Sequence, residues 1–99
     1  MNAQVSIDRG QLAEFCRLNG VRRLAVFGSA LRNDFGPGSD VDVLVEFEPG
    51  RTPGLGFFRM QEDLSRLFCR TVDLHTPASL SRYFRSQVLS EAEDQYVAA

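Results

Sequence analysis

Two linked segments are the most informative in the chain: Phe27-Gly28-Ser29-Ala30-Leu31-Arg32 and, shortly after, Ser39-Asp40-Val41-Asp42-Val43-Leu44-Val45. The run Leu24-Ala25-Val26-Phe27 ahead of the glycine is short and wholly apolar, which reads as a strand covered on both faces. Gly28-Ser29 breaks it, and Ala30-Leu31-Arg32 reads as the first turn of a short helix. From Asp40 the period becomes two. Val41, Val43, Val45 and Phe47 point one way, and Asp40, Asp42, Leu44 and Glu46 point the other. The two aspartates therefore leave the same face of one strand, with Cα atoms roughly 6.5 Å apart.

The flanking sequence completes an α/β pattern. Asp8 can cap a helix, answered three residues later by Gln11 as in a capping box. Leu12, Phe15 and Cys16 then mark one helical face, and Asn19-Gly20 stops it. On the other side, Pro49 to Gly56 carries two prolines and three glycines and reads as a mobile connection. Phe58, Gln61, Leu64, Leu67 and Phe68 mark a second long helix. Thr71-Val72-Asp73-Leu74-His75 reads as a strand. Thr76-Pro77 is a cap with proline at the first helical position, and Leu80, Tyr83, Phe84 and Val88 continue that helix. Ser90 to Ala99 is ambiguous, with a short helix and an edge strand at Gln95-Tyr96-Val97 as one reading. The expected fold is a small α/β domain spanning 1–99, a mixed sheet of three to four strands with helices packed on one face.

Composition narrows the function. The chain has 99 residues, eleven Arg, no Lys and a net charge of −2. Without a basic excess it is no general nucleic-acid coat, and no direct nucleic-acid binding is expected. Without lysine, neither Schiff-base chemistry nor a Walker A loop is available. No apolar run is long enough to span a membrane. Met1-Asn2-Ala3-Gln4 leads into an amphipathic stretch rather than an apolar signal core, and Cys16 and Cys69 read as small buried hydrophobes. A cytoplasmic, reducing location is the expectation.

The candidate chemistry lies in the acidic residues. Two carboxylates on one rigid strand repel unless a cation sits between them, and Mg²⁺ suits a few carboxylate oxygens together with waters and phosphates. Two such ions about 3.5–4 Å apart can clamp an in-line phosphoryl displacement. Asp73 joins Asp40 and Asp42 if its strand pairs beside theirs with Val72 and Leu74 turned to the helices. Otherwise Asp40 is a turn residue and the other two are ordinary solvated acids. Gly28-Ser29 opens a helix after a strand, a bend where backbone N–H groups and the serine hydroxyl can meet a phosphate. Arg32 either touches a phosphate or pairs with Asp34 or Asp40 to shape the loop. His75 either approaches the acids or simply ends its strand. Tyr83 and Phe84 read as core or interface, and Glu46 and Glu48 as solvated.

Gly28-Ser29, ten residues, then Asp40-Val41-Asp42 resembles the signature of the polymerase-beta-like nucleotidyltransferase superfamily. The wider stretch resembles its minimal branch, the MNT-like antitoxins of HEPN/MNT toxin–antitoxin modules. Val72-Asp73-Leu74 followed by Thr76-Pro77 is similar to that family's third-carboxylate strand and the helix after it. The resemblance runs from about residue 8 to 97 and implies a small nucleotidyltransferase-like fold. It implies that Asp40 and Asp42 contact Mg²⁺, with two ions, and that Asp73 shares the catalytic metal and helps deprotonate the acceptor. It further implies that Gly28 and Ser29 hold the β- and γ-phosphates of ATP; Arg32, read from its own position, is the candidate further phosphate contact. The implied activity is AMP transfer to a tyrosine hydroxyl of a cognate HEPN-domain ribonuclease toxin, as the antitoxin of a type VII-like module and in a hetero-oligomer with that toxin. At this length the acceptor site is expected to come partly from another molecule. The alternatives are an antitoxin that neutralises its partner by binding alone, and a small-molecule nucleotidyltransferase of the aminoglycoside-modifying kind.

Overall fold

The computed structural model describes residues 7–98 apart from 33–35 and 37, so the N-terminal reading and the role of Asp34 lie outside the described residues. Helix α1 spans Arg9–Asn19. The Asp8 carboxylate accepts the Gln11 N–H at 2.9 Å, satisfying one of the free donors of the first turn. Gly20, at φ +68°, ends the helix in the left-handed conformation that disfavours a side chain. Strand β1 follows at once as Val21–Phe27, three residues earlier than its apolar run suggested, because Arg22 and Arg23 are carried on the sheet by ion pairs with Glu46. A 3₁₀ turn over Gly28–Leu31 comes next, and after it β2, Val41–Phe47. Helix α2 spans Gly56–Phe68 and β3 spans Val72–His75.

The segment after β3 differs from the continuous helix expected of it. Thr76 caps a 3₁₀ turn of three residues, Pro77–Ser79, in a reciprocal capping box with Ser79. Helix α3 begins only at Arg85 and ends at Glu91. Arg85 explains the break: its guanidinium donates to the carbonyls of Pro77 and Leu80, which an unbroken helix would have used internally. Strand β4, Glu93–Val97, closes the chain.

The sheet order is β3-β2-β1-β4. β1 runs antiparallel to β2 and β4, and β3 runs parallel to β2. The two long helices pack on one face. Leu12, Phe15 and Cys16 of α1 and Met60, Leu64 and Phe68 of α2 meet Leu24, Val26, Val41, Val43, Val45, Val72 and Leu74 in one core. The buried stripe of α2 is rotated from the expected one, so Phe58 is 66% exposed and Met60 is buried instead. Cys69 is not a buried hydrophobe. It is exposed and ends α2 at φ +54°, whereas Cys16 is fully buried.

The opposite face is only partly polar. Leu44, on the same side as Asp42, is 1% exposed, and Ala25 and Phe27 are buried too. The 3₁₀ turn after β3 contacts β2, and Phe84 and Val88 meet Phe27 and Asp42 across a cleft, so the chain after β3 borders this side.

Candidate active site

The register of three strands assembles the site. Phe27 of β1 lies opposite Asp42 of β2, and Asp42 lies opposite Asp73 of β3. Asp42 and Asp73 are thus direct neighbours on adjacent strands, about 4.8 Å apart in the backbone. Asp40 stands just ahead of β2. It is held there because the Val41 N–H donates to the Thr71 carbonyl at 2.9 Å, extending the parallel pairing by one step. Asp40 and Asp73 are exposed and Asp42 is half-buried.

Gly28 closes against this row. Its φ is +71°, and a Cβ placed on it would lie 2.5 Å from Asp42 Oδ2. Only a glycine gives both the backbone turn and the space beside that carboxylate. The Ser29 hydroxyl donates to the Asp40 carbonyl at 3.3 Å, tying the bend to the start of β2. Arg32 ends the 3₁₀ turn, its N–H donating to the Ser29 carbonyl at 3.0 Å. Its exposed side chain lines a cleft of about 520 Å³ with Gly28, Ser29, Asp42 and Phe84. An adjoining space of about 470 Å³ shares Gly28, Arg32 and Glu91. Together these are large enough for a mononucleotide-sized ligand.

Three features of the site were not signalled by the sequence, and a fourth decides between two readings of it. Phe84, Gln87, Val88 and Glu91 form the far wall of the cleft; Phe84 is 61% exposed and Tyr83 79%, so neither is core. Arg70 donates to the carbonyls of Gly36 and Ser39 at 2.8 and 3.4 Å and braces the loop ahead of Asp40. Glu46 is not simply solvated. It pairs with Arg22 and Arg23, each at 2.9 Å, and Arg23 also holds Asp94 at 2.5 Å. Of the two readings of His75, the structure favours approach to the acids: its imidazole sits 3.5 Å from Asp42 Oδ1. The first three join distant segments, so periodicity and capping motifs carry no trace of them, whereas the strand period already put His75 on the face of Asp73.

Among the described residues, no three His, Cys, Asp or Glu side chains converge tightly enough to cage a metal ion. The donor set still fits Mg²⁺. It consists of hard carboxylate oxygens on a solvent-facing row beside a cradle that a Cβ would fill, and Mg²⁺ takes one or two protein carboxylates and completes its shell with water and phosphate oxygens. No described helix is long and apolar enough to cross a membrane.

The chain is similar to known proteins in both sequence and fold. The sequence matches the family described as "Nucleotidyltransferase domain" over residues 9–94. Protein adenylyltransferase MntA of Thermococcus cleftensis is 41% identical over 73 residues, covering 73% of this chain and 72% of that protein. The solved structure of a candidate minimal nucleotidyltransferase is 38% identical, covers 85% of both chains and superposes with a TM-score of 0.69. A chain in the solved complex of an MNT antitoxin with the tri-AMPylated HEPN toxin of Shewanella oneidensis shares the fold, with a TM-score of 0.64 at 18% identity. It covers 91% of this chain and 70% of that one.

Proposed function

The chain belongs to the nucleotidyltransferase family, and from that premise we propose that it transfers AMP from ATP to a tyrosine hydroxyl of a HEPN-domain ribonuclease partner, acting as the antitoxin of a toxin–antitoxin pair. The observation that carries this reading is the row of Gly28, Asp42 and Asp73, three groups brought side by side by strand register beside an open cleft.

Each residue then has a task. Gly28 lets the triphosphate lie against the backbone, and the Ser29 hydroxyl and the free N–H groups of the bend bind its β- and γ-phosphates. Arg32 adds a positive charge at the phosphate end of the cleft. Asp40, Asp42 and Asp73 would hold Mg²⁺, two ions being the proposed complement. When bound, such a cation supplies charge neutralisation on the phosphate oxygens and on the departing group. Asp73, at the exposed edge of the row, accepts the proton of the incoming tyrosine hydroxyl. The phenolic oxygen forms a bond to the α-phosphorus, the bond from that phosphorus to the β-phosphate bridging oxygen breaks, and pyrophosphate leaves with the electron pair. The exposed Phe84 lines the cleft that a protein acceptor must approach.

Labelled ATP, Mg²⁺ and a HEPN-domain ribonuclease as acceptor test the proposal. Label should appear on a tyrosine of that protein and fall by at least about a hundredfold with Asp42→Asn, the scale expected when a group stabilising developing charge is removed. Equal labelling by Asp42→Asn would remove this site from the reaction.

A further inference from the structure

His75 is the single histidine of the chain. It ends β3, lies in register with Leu44, and leaves the same sheet face as Asp73. Its ring stands edge-on to Phe27, with centroids 5.4 Å apart and planes at 63°. That packing turns Nε2 inward, where it is shielded from solvent, has no hydrogen-bond partner, and faces Asp42 Oδ1 at 3.5 Å. The other carboxylate oxygen of Asp42, Oδ2, faces Gly28. The two oxygens thus have different neighbours, one an orphaned imidazole nitrogen and the other the glycine cradle.

We propose that His75 is a positioning residue: its Nε2–H donates a hydrogen bond to Asp42 Oδ1, fixing the carboxylate so that Oδ2 is presented to the cleft. This deepens the function proposed above and rests on it. The remaining gap is small, because a good N–H···O bond is about 2.9 Å and the two atoms already stand at 3.5 Å. A buried ring nitrogen left without a partner favours that closure. The arrangement parallels the outer hydrogen bonds that orient metal-binding side chains elsewhere, whose loss weakens metal affinity by roughly ten- to a hundredfold. Phe27 contributes by holding the ring plane, so the strand pair β1–β2 and the β3 end act on one carboxylate together.

The test uses the full chain with Mn²⁺ and the non-hydrolysable analogue AMP-PNP, read by electron paramagnetic resonance. His75→Phe keeps the aromatic packing and removes the donor, and should weaken Mn²⁺ binding roughly tenfold with an unchanged thermal melt. His75→Gln restores a side-chain N–H and should recover most of that loss. Equal Mn²⁺ affinity in His75→Phe and the unsubstituted protein overturns the positioning role alone. No Mn²⁺–AMP-PNP binding by the unsubstituted protein overturns both this role and the function it rests on. Should His75→Phe fail to fold, long-range ¹⁵N–¹H NMR of the lone imidazole decides. A proton on Nε2, with a nitrogen shift that moves on adding Mg²⁺ and AMP-PNP, is the expected result; a bare Nε2 overturns the proposal.

Discussion

Gly28 shows how much one side chain's absence can do. At φ +71° an alanine would cost about 1–2 kcal/mol in backbone strain, and its Cβ would press on Asp42 Oδ2. Gly28→Ala is therefore expected to lower the melting temperature and to abolish AMP-PNP binding, seen by calorimetry. Ser29→Ala should leave the melt nearly unchanged, since its bond to the Asp40 carbonyl is a long one at 3.3 Å, while still weakening nucleotide binding. The two cysteines separate just as sharply. Burial pushes the Cys16 thiol up to about 12, so it stays an unreactive thiol at neutral pH. Brief treatment of the native protein with iodoacetamide should label Cys69 alone, with Cys16 reacting only in denaturant, as peptide mass spectrometry would read.

Strand β3 illustrates how an element is held at the edge of a sheet. Its Asp73 and His75 positions pair towards β2, which leaves the N–H groups of Val72 and Leu74 pointing outward. Two side chains of α2 accept them, Ser65 Oγ at 3.0 Å and Gln61 Oε1 at 2.9 Å. The helix thereby closes an edge that would otherwise invite another strand, and fixes the short β3 on which Asp73 depends. Gln61→Leu strands a partly buried donor and should cost about 1–3 kcal/mol in urea unfolding. The same substitution should lower nucleotide-dependent activity by loosening Asp73, although Gln61 touches no ligand. At the other edge β4 carries an irregularity against β1 between Leu24 and Ala25, a bulge that discourages pairing with a further strand.

Across the molecule, stability and pH are linked through the ion network on the far end of the site face. Burial on its own would raise the Glu46 carboxyl, but hydrogen bonds from Arg23 and Arg22 outweigh it and hold the group below its usual range. Arg23 is likewise opposed by burial yet held above its ordinary value by Asp94 and Glu46. A carboxyl depressed on folding stabilises the protein above its unfolded value, about 4.3 for glutamate, and that stabilisation is lost as pH falls through the folded value. Glu46→Gln should thus be less stable than the parent near pH 7, with the difference shrinking towards pH 3, as urea unfolding at both pH values would show.

Much of this architecture was legible in the chain because its causes are local. The valines at every second position from Val41, the Asp8 cap, the Gly20 stop and the Thr76-Pro77 start each act over a few residues, and each recurs in the folded protein. Gly28, Ser29, Asp40 and Asp42 share one short span, so their proximity follows from one bend and one strand. Other features had no local cause. Parallel pairing of β3 with β2 in the register that sets Asp73 beside Asp42, the burial of Leu44 on a face that reads as wet, and the meeting of residues 84–91 with Gly28 all join distant segments. Backbone preference and side-chain period extend only a few residues along the chain. Which strand lies beside which, and what covers the second face, is settled when the whole core packs against α1 and α2, and the aim of His75 at Asp42 arises only there.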